Sequence, residues 1–200
     1  MKQTLLITAM IALTCTLAGC GKDYANATVK SLLDETALQK ENTWCGQQPH
    51  PDLIKGCASA DAAKWIMRDP ANLAMVDKPE PWPNKDTAFF QSVIDATNAS
   101  QQLPNAEQNV TMAERGAKAV KSDYAKKIAQ TAEQNLVKLK NTIATVPANS
   151  LNAYKEESSW CSIQQAYQLG EAPYWGNQRD LNKISSSCAA ISKAVMPGGF

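Results

Sequence analysis

The sequence predicts an all-α protein in which two disulfide-stapled helical hairpins pack with a long central amphipathic helix. Apolar residues recur at three- and four-residue spacing in several long segments, which is the pattern of amphipathic helices. No segment alternates between apolar and polar residues with the period of two that strands show. Four cysteines after residue 20 fall close to these helical patterns, which indicates covalent links between helices.

The chain begins with a short apolar leader. Lys2 supplies a positive charge, residues 5–17 are mostly apolar, and the sequence Leu17-Ala18-Gly19-Cys20 closes the run. The run is shorter than the roughly 20 apolar residues of a transmembrane helix and has the order of a secretory leader. The closing four residues resemble the cleavage motif of bacterial lipoproteins, in which the leader is cut before the cysteine. The alternative is an ordinary secretory leader in which Cys20 is incidental.

The lipoprotein resemblance implies an address and a covalent modification. Residues 1–19 would be the signal peptide, Cys20 would carry the lipid that attaches the protein to the bilayer, and residues 20–27 would form a lipidated tether. The residue after Cys20 is Gly21 and not the Asp that such systems read as an inner-membrane retention signal. We therefore expect an outer-membrane lipoprotein that faces the periplasm.

Charge excludes some partners. The chain contains 20 basic and 19 acidic side chains, so the overall charge is close to zero. Proteins that bind nucleic acid usually carry a basic excess, and no run of basic residues indicates a polybasic membrane contact. We expect no nucleic-acid partner.

Four cysteines remain once Cys15 is removed with the leader and Cys20 is acylated: Cys45, Cys57, Cys161 and Cys188. An even number in an exported chain predicts two disulfides. Three pairings are possible, and we expect the local one, Cys45–Cys57 and Cys161–Cys188. A four-cysteine metal site is the alternative, but the close C-x₂-C spacing of such sites is missing. No metal or cofactor is expected, apart from the lipid on Cys20.

The N-terminal half predicts a small hairpin at 28–77. Helical patterns cover 28–45 and 51–67, and the segment between them contains Gly46, Pro49 and Pro51, which end helices. The segment 78–85 contains three prolines in six residues. It is predicted to be a stiff linker because proline lacks the backbone donor that helices and strands need.

The remaining residues, 86–200, are predicted to form a helical bundle that ends in the second stapled hairpin. A helix is expected at 86–99, followed by a polar loop at 101–109 around Pro104. Thr111 and Glu114 have the spacing of a capping box, which predicts the start of the longest helix, 112–146. Its apolar stripe is Val120, Tyr124, Ile128, Ala132, Leu136, Leu139, Ile143 and Val146. Further helices are expected at 150–168 and 179–195.

One short motif occurs twice. Glu41-Asn-Thr-Trp44-Cys45 matches Glu157-Ser-Ser-Trp160-Cys161, and a Cys-Ala pair follows each copy after a loop. For each copy the sequence predicts a helix that ends in Trp-Cys and a following helix that contains the second cysteine. The repeat supports the prediction of two stapled hairpins, although chance could also produce it.

Signals of catalysis are sparse. His50 is the only histidine and lies between two prolines, so a zinc triad or a Ser-His-Asp set is difficult to assemble. Phosphate-binding, dinucleotide-binding and nucleophile-elbow motifs are missing. Glu156 and Glu157 could transfer protons only inside a cleft, and we interpret them as exposed charges. The sequence predicts no catalytic residue.

Aromatic residues are the best candidates for a partner surface. Trp82, Tyr174 and Trp175 fall in segments rich in proline or glycine, where side chains are less often needed for packing. Tryptophan and tyrosine are also the residues that most often anchor protein interfaces. We expect these three residues to contact a partner and the other aromatic residues to pack the core.

Residues 29–63 resemble the small entry-exclusion lipoproteins of conjugative plasmids, the EexN type. The features shared are a short helix with Leu32-Leu33-Asp34, Cys45, a loop containing Pro49-His50-Pro51, Cys57, and an alanine-rich helix from Ala58. This sequence has Cys-Gly-Gln-Gln-Pro-His-Pro where that family usually has an Asn-Pro-Gly type of loop, and it continues far beyond the family's usual end. The resemblance implies a non-catalytic envelope protein that contacts a donor secretion apparatus.

These observations predict a non-enzymatic, membrane-anchored periplasmic lipoprotein that acts through protein–protein contact, in conjugative exclusion or in envelope assembly. A periplasmic immunity protein that neutralises an exported toxin is the main alternative. A cell-wall-active enzyme of unrecognised class is the third. The partner is accordingly an envelope or secretion-apparatus protein, or a toxin.

Overall fold

The computed structural model describes residues 24–170 and 184–196. In this part of the chain the regular structure consists of helices, without β-strands. The seven α-helices are α1 (Glu35–Cys45), α2 (Lys55–Met67), α3 (Pro70–Met75), α4 (Thr87–Val120), α5 (Asp123–Ile143), α6 (Ala153–Gly170) and α7 (Ser186–Val195). Short 3₁₀ helices occupy Lys30–Leu32, Pro51–Leu53 and Ala148–Ser150. The predicted all-α class is confirmed.

Two disulfides form, as the sequence predicts. Cys45 and Cys57 are joined, with their Cα atoms 5.7 Å apart, and Cys161 is joined to Cys188. The first bond links the end of α1 to the start of α2, and the second links α6 to α7. Local pairing is therefore confirmed among the three possibilities.

The chain divides into two units, each made of two separate stretches of sequence. Unit 1 contains the described residues of Met1–Pro79 and of Ser159–Ile184, and unit 2 contains those of Glu80–Ser158 and Ser185–Phe200. One division falls between Pro79 and Glu80, within the segment 78–85 that the sequence predicts as a linker. The other two fall inside α6 and just before α7.

Unit 1 is built around α1 and α2. Asp34 caps α1, because its side chain accepts a hydrogen bond of 2.9 Å from the backbone N–H of Ala37 and so satisfies a donor that the helix leaves free. The buried core consists of Val29, Leu32, Leu38, Ala60, Ala63 and Ile66. The N-terminal helix is thus shorter than the predicted 28–45, since Lys30–Leu32 forms a separate 3₁₀ turn.

The second half of α6 completes unit 1 through small residues and polar bonds. Ser59 donates a hydrogen bond to the carbonyl of Gly170. A Cβ atom at Gly170 would overlap Val29 and Ala62, so only glycine allows this close approach. The Trp160 indole donates to the carbonyl of Lys78 over 2.9 Å.

Unit 2 has its core where the start of α4 meets α6. Asp86 caps α4 by accepting a 2.8 Å hydrogen bond from the N–H of Phe89. The buried residues of this core are Val93, Ala96, Val146 and Ala153, and Trp82, Phe89, Leu151 and Tyr154 pack against them. Thr97 adds a partly buried hydrogen bond to the carbonyl of Leu151.

The helix boundaries predicted for 86–146 are wrong. A single 34-residue helix, α4, runs from Thr87 through Pro104 to Val120, so the predicted loop at 101–109 is helical. Thr111 does not cap a helix, because its hydroxyl donates to the carbonyl of Glu107 one turn earlier. The break comes later, where Lys121 adopts a left-handed conformation with φ of 52° and Ser122 caps α5. The predicted central helix is therefore a hairpin of two helices.

The α4–α5 hairpin has a narrow seam in place of a full core. The half-buried residues alternate at three- and four-residue spacing, as in a coiled coil; they are Leu103, Ala106, Val110, Ala113 and Ala117 on α4, and Ala125, Ala129, Ala132, Leu136, Leu139 and Ile143 on α5. Glu107 and Lys140 form an ion pair of 3.5 Å across the seam. Val120, Tyr124 and Ile128 were predicted to face inward, but they are exposed because the break at Lys121 changes the register.

Among the described helices, none combines the length and the apolar character that a membrane span requires.

Candidate functional site

Glu41 is buried beside the first disulfide. It lies on α1 one turn before Cys45, and 1% of its surface is exposed. Its Oε1 atom lies 3.8 Å from the Cys45 Sγ atom. The bonded sulfur carries no hydrogen, so this approach is a contact and not a hydrogen bond. A carboxylate held in such a place pays a large cost for losing water.

Burial raises the pKa of Glu41 to about 7. The cause is desolvation, which disfavours the charged form of a carboxyl. The carboxyl is consequently protonated over much of the range below neutral pH. This property would suit an acid catalyst if substrate could reach the group.

A backbone segment closes over Glu41 and the start of α2. A Cβ atom at Gly56 would overlap the carbonyl oxygen of Tyr24 and would stand 2.9 Å from Oε1 of Glu41. The Tyr24 ring also stacks on Trp44, with ring centroids 5.7 Å apart and an angle of 21° between the planes. The Tyr24 carbonyl and the Glu41 carboxyl therefore meet at Gly56, and Glu41 is closed off from solvent.

Glu157 occupies the matching place in unit 2 and is fully buried. Its Oε2 atom accepts a hydrogen bond of 2.9 Å from the backbone N–H of Trp82. One of its carboxylate oxygens lies within 4.8 Å of Sγ of Cys188. The interpretation of Glu157 as an exposed charge is wrong, whereas its neighbour Glu156 is exposed as expected. The helix turns Glu157 inward because it is four residues before the buried Cys161.

Glu157 is hydrogen-bonded to a second carboxyl, Glu80. Burial, this hydrogen bond and the charge of Glu80 together raise the pKa of Glu157 to about 8, although the Trp82 N–H opposes the shift. Two carboxyls at hydrogen-bond distance retain a proton between them, because both cannot ionise without repulsion. Glu80 also accepts a hydrogen bond of 2.6 Å from the Ser185 hydroxyl.

The two sites share the pattern of burial as well as the sequence motif. The first five buried residues of α2 are Gly56, Cys57, Ser59, Ala60 and Ala63. The buried residues of α7 are Ser187, Cys188, Ala190, Ile191 and Ala194. The spacing is identical, with the cysteine second in each set. The repeated Glu-x-x-x-Cys motif is thus a repeated structural unit. The sequence showed the repeat, but the burial of its glutamates required the structure.

The chemistry of both sites is structural in the oxidised protein. Glu41 lies close to the Cys45 and Cys57 sulfurs, and Glu157 lies close to the Cys188 sulfur. All of these sulfurs are in disulfides, and a disulfide offers no thiolate for a metal ion. A buried carboxyl without access from solvent cannot exchange protons with a substrate. Beside each disulfide, therefore, a glutamate fills the space with a carboxyl whose protonated form is favoured by burial.

Trp82 is half-buried and makes its contacts within unit 2. Its indole N–H donates to Glu156 over 2.9 Å, and its ring contacts Phe89 with centroids 5.8 Å apart. The ring also packs against the core of unit 2. These contacts fix the position of the ring, and the partner role that its proline-rich segment suggested stays a prediction.

The other predicted site residues divide between the described and the undescribed parts of the chain. Cys20, Tyr174 and Trp175 lie outside the described residues, so the lipid site and these two partner candidates stay predictions, as does the partner role of Trp82. His50 is exposed and precedes the 3₁₀ turn Pro51–Leu53, as its position between prolines suggested.

Comparisons with known proteins provide no relative. No protein-family model, curated protein or solved structure matches the chain. A function must therefore be argued from the sequence motifs and the geometry of this chain.

Proposed function

We propose that this protein is an exported, lipid-anchored helical lipoprotein that acts through non-covalent contact with another envelope protein and carries out no reaction. The observation that carries the proposal is the burial of Glu41 and Glu157. These carboxyls have the raised pKa values expected of acid catalysts, yet both are enclosed beside disulfides. Their arrangement supports stability and not catalysis.

Export is supported by two independent features. The Leu17-Ala18-Gly19-Cys20 motif ends an apolar leader, and two disulfides form in the folded chain. Structural disulfides persist in oxidising compartments such as the periplasm. Acylation of Cys20 would place the protein on the outer membrane, with residues 20–27 as the tether.

A groove in unit 1 is suited to protein contact. It lies beside the stacked rings of Tyr24 and Trp44, has a volume of about 400 Å³, and is lined also by Thr36, Gln39, Lys40, Thr43 and Gln47. Aromatic rings surrounded by polar side chains are typical of interface surfaces. This groove is a further candidate contact surface, in addition to the predicted candidates Tyr174 and Trp175.

The partner follows from the resemblance in residues 29–63. A component of a conjugative secretion apparatus would fit exclusion, and another envelope protein would fit assembly. The alternative partner is an exported toxin, which would make the protein an immunity protein. These partners belong to the same kind of mechanism, in which binding alone has the effect.

Photocrosslinking in intact cells tests the proposal. A photoreactive amino acid is placed at Thr43 or at Trp175, and the matched control carries it at Lys64, an exposed residue of α2. We expect Thr43 or Trp175 to capture a secretion or envelope protein that Lys64 does not capture. Capture of a toxin would establish the immunity alternative. Capture of peptidoglycan or lipid alone would contradict a protein-binding function and support a role at the wall.

A further inference from the structure

Residues 80–85 form a short segment of unit 2 that lies against α6 and α7. The segment has neither helical nor strand structure, and Pro81 and Pro83 supply no backbone N–H. Its position therefore depends on the few hydrogen bonds that its other residues make. We name this segment the strap.

The strap is held to α6 at Glu157. The backbone N–H of Trp82 donates to Glu157 Oε2 over 2.9 Å, and the carboxyl of Glu80 is hydrogen-bonded to the carboxyl of Glu157. The Trp82 indole adds an exposed bond to Glu156. Two of these three contacts thus end on one buried side chain.

The strap is held to α7 by two serines. The Ser185 hydroxyl donates to Glu80 Oε1 over 2.6 Å and accepts from the N–H of Cys188 over 3.1 Å, which caps α7. The Ser187 hydroxyl accepts from the N–H of Lys85 over 3.0 Å. Glu80 therefore bonds both a carboxyl of α6 and the cap of α7.

These contacts require a proton between Glu80 and Glu157. An ionised carboxyl only accepts hydrogen bonds, so two carboxylates cannot bond each other. Ser185 donates to Glu80 and Trp82 donates to Glu157, so neither donor supplies the hydrogen between the two carboxyls. One of the carboxyls is therefore in its protonated form while the strap is in place.

Loss of this proton would leave two negative charges side by side. Glu80 is the charged side chain that faces Glu157 in the described part of unit 2. The other charged side chains of the strap, α7 and the neighbouring parts of α6 and α4 have other surroundings: Lys85 and Lys155 lie over the rings of Phe89 and Tyr154, Glu156 bonds the Trp82 indole, Asp86 caps α4, Asp95 accepts from Gln91, and Lys193 is exposed in the last turn of α7. Because Glu157 is fully buried, a second negative charge beside it is strongly unfavourable.

We propose that the strap is a pH-controlled latch, closed by the proton that Glu80 and Glu157 share and released when that proton is lost to water. Two carboxylates at this distance repel each other, so Glu80 moves away and its bond to Ser185 breaks. The Trp82 ring, which packs against the core of unit 2 in the closed form, then leaves that core. Trp82 and Glu157 become accessible to solvent only in the open form.

The direction of the pH dependence follows from the two forms. In the closed form the pair keeps its proton up to about pH 8, and in the open form a solvated carboxyl keeps it only up to its ordinary pKa of 4.5. The closed form is therefore fully favoured below pH 4.5. Between pH 4.5 and 8 each opening releases one proton, so the ratio of open to closed molecules rises by up to about tenfold per pH unit, and it levels off above pH 8.

Hydrogen exchange of the Trp82 N–H, followed by NMR between pH 5 and pH 9, measures the opening directly. The full chain carries Cys15→Ser and Cys20→Ser, so that no free thiol can exchange with the two disulfides, and all variants share this background. We expect the protection factor, corrected for the intrinsic effect of pH on exchange, to fall by up to about tenfold per pH unit up to pH 8 and then to level off. A protection factor that stays constant over this range would overturn the proposal.

Glu157→Gln is the decisive variant. Its amide can donate to the Glu80 carboxylate while its carbonyl accepts from the Trp82 N–H, so the strap should stay closed without a proton. We expect the protection factor of this variant to change by less than about twofold between pH 5 and pH 8. Glu156→Gln alters the exposed neighbour and, as the matched control, should keep the pH dependence of the parent. A Glu157→Gln variant that also keeps it would refute control by the shared proton.

A second amide separates the latch from unfolding of the whole unit. Ala96 lies in the buried part of α4, and its N–H should keep its protection while that of Trp82 falls. An equal fall at both amides would show that unit 2 unfolds and would contradict a local latch.

Glu80→Gln tests the same pair without changing the buried side chain, and it replaces Glu157→Gln if that variant does not fold. It removes the charge beside Glu157 but leaves Glu157 ionisable, so the protection of the Trp82 N–H should level off at a lower pH than in the parent. Levelling off at the same pH as in the parent would show that Glu80 does not share the proton.

Discussion

The carbonyl oxygen of Tyr24 lies directly against Gly56, so closely that the structure has no space for a Cβ atom at that position. The same carbonyl accepts a hydrogen bond of 3.1 Å from the Ala27 N–H, and the Glu41 carboxyl also lies beside Gly56. A backbone atom cannot move aside as a flexible side chain can. Closure of the site thus depends on one glycine.

Replacing Gly56 should consequently destabilise unit 1. We expect Gly56→Ala to lower the free energy of unfolding by about 2 kcal/mol or more, because overpacking against backbone forces the chain to shift. Gly46→Ala is the matched control, since its Cβ atom would meet carbonyl oxygens only at 3.5 and 3.7 Å. Denaturant unfolding measures both. A Gly56→Ala variant as stable as the Gly46→Ala variant would contradict the described contact.

The raised pKa of Glu41 predicts a pH dependence of stability. Below about pH 4.5 the carboxyl is protonated in both the folded and the unfolded chain, so its full contribution to stability is present. Between 4.5 and about 7 the unfolded chain ionises first, and stability falls by up to about 1.4 kcal/mol per pH unit for this group. Above pH 7 the contribution is lost.

Glu41→Gln should remove this part of the pH dependence, because the amide stays neutral. We expect its melting temperature to fall less between pH 5 and pH 8 than that of the parent chain. Asp61→Asn, at an exposed position of α2, is the control and should follow the parent. If the melting temperatures of Glu41→Gln and of the parent chain fall by the same amount between pH 5 and pH 8, the Glu41 carboxyl is not the group that titrates.

Glu157 should contribute more to the stability of the folded chain than its neighbour Glu156. Glu157→Leu removes the acceptor of the Trp82 N–H, and an unpaired donor in a partly buried place costs roughly 1–3 kcal/mol. Glu157→Gln keeps an oxygen there and should lose less. The control is Glu156→Leu, which breaks only the exposed bond to the Trp82 indole and should cost below about 1 kcal/mol. Urea unfolding ranks the three, and equal losses for Glu156→Leu and Glu157→Leu would refute the role of burial.

Local patterns in the sequence were sufficient for the fold class and the disulfides. Helical periodicity depends on neighbours within two turns, and the local disulfide pairing was the simplest one for four cysteines in an exported chain, with support from the repeated Trp-Cys motif. The same reasoning failed between residues 100 and 146. Pro104 predicts a break, but α4 continues through it, and this proline is exposed. An exposed position leaves space for the ring, and water can bond the carbonyl that loses its partner.

The sequence between α4 and α5 contains none of the residues that usually mark the end of a helix. Lys121 adopts a left-handed conformation that is usually taken by glycine or asparagine, so the sequence did not mark a helix end there. Thr111 and Glu114 had the spacing of a helix start, yet a threonine can equally bond the carbonyl four residues before it. Side-chain chemistry alone does not separate these two uses.

The buried glutamates were beyond prediction for a different reason. Glu41 and Glu157 stand in polar stretches of their helices, and glutamate is rarely buried unless it is paired or protonated. Their burial depends on residues far away in sequence, such as Tyr24 for the first and Glu80 and Trp82 for the second. The repeat in the sequence marked their positions but not their surroundings.

The central claim is that Cys20 anchors a binding protein to the cell envelope, and fractionation of cells tests it most directly. The parent chain, Cys20→Ser and the leader control Cys15→Ser are expressed with labelled palmitate. We expect the parent and Cys15→Ser to carry label and to remain with membranes until detergent is added, whereas Cys20→Ser should be unlabelled and released into the soluble fraction. An unlabelled parent, or a Cys20→Ser variant that stays in the membrane fraction, would contradict the claim.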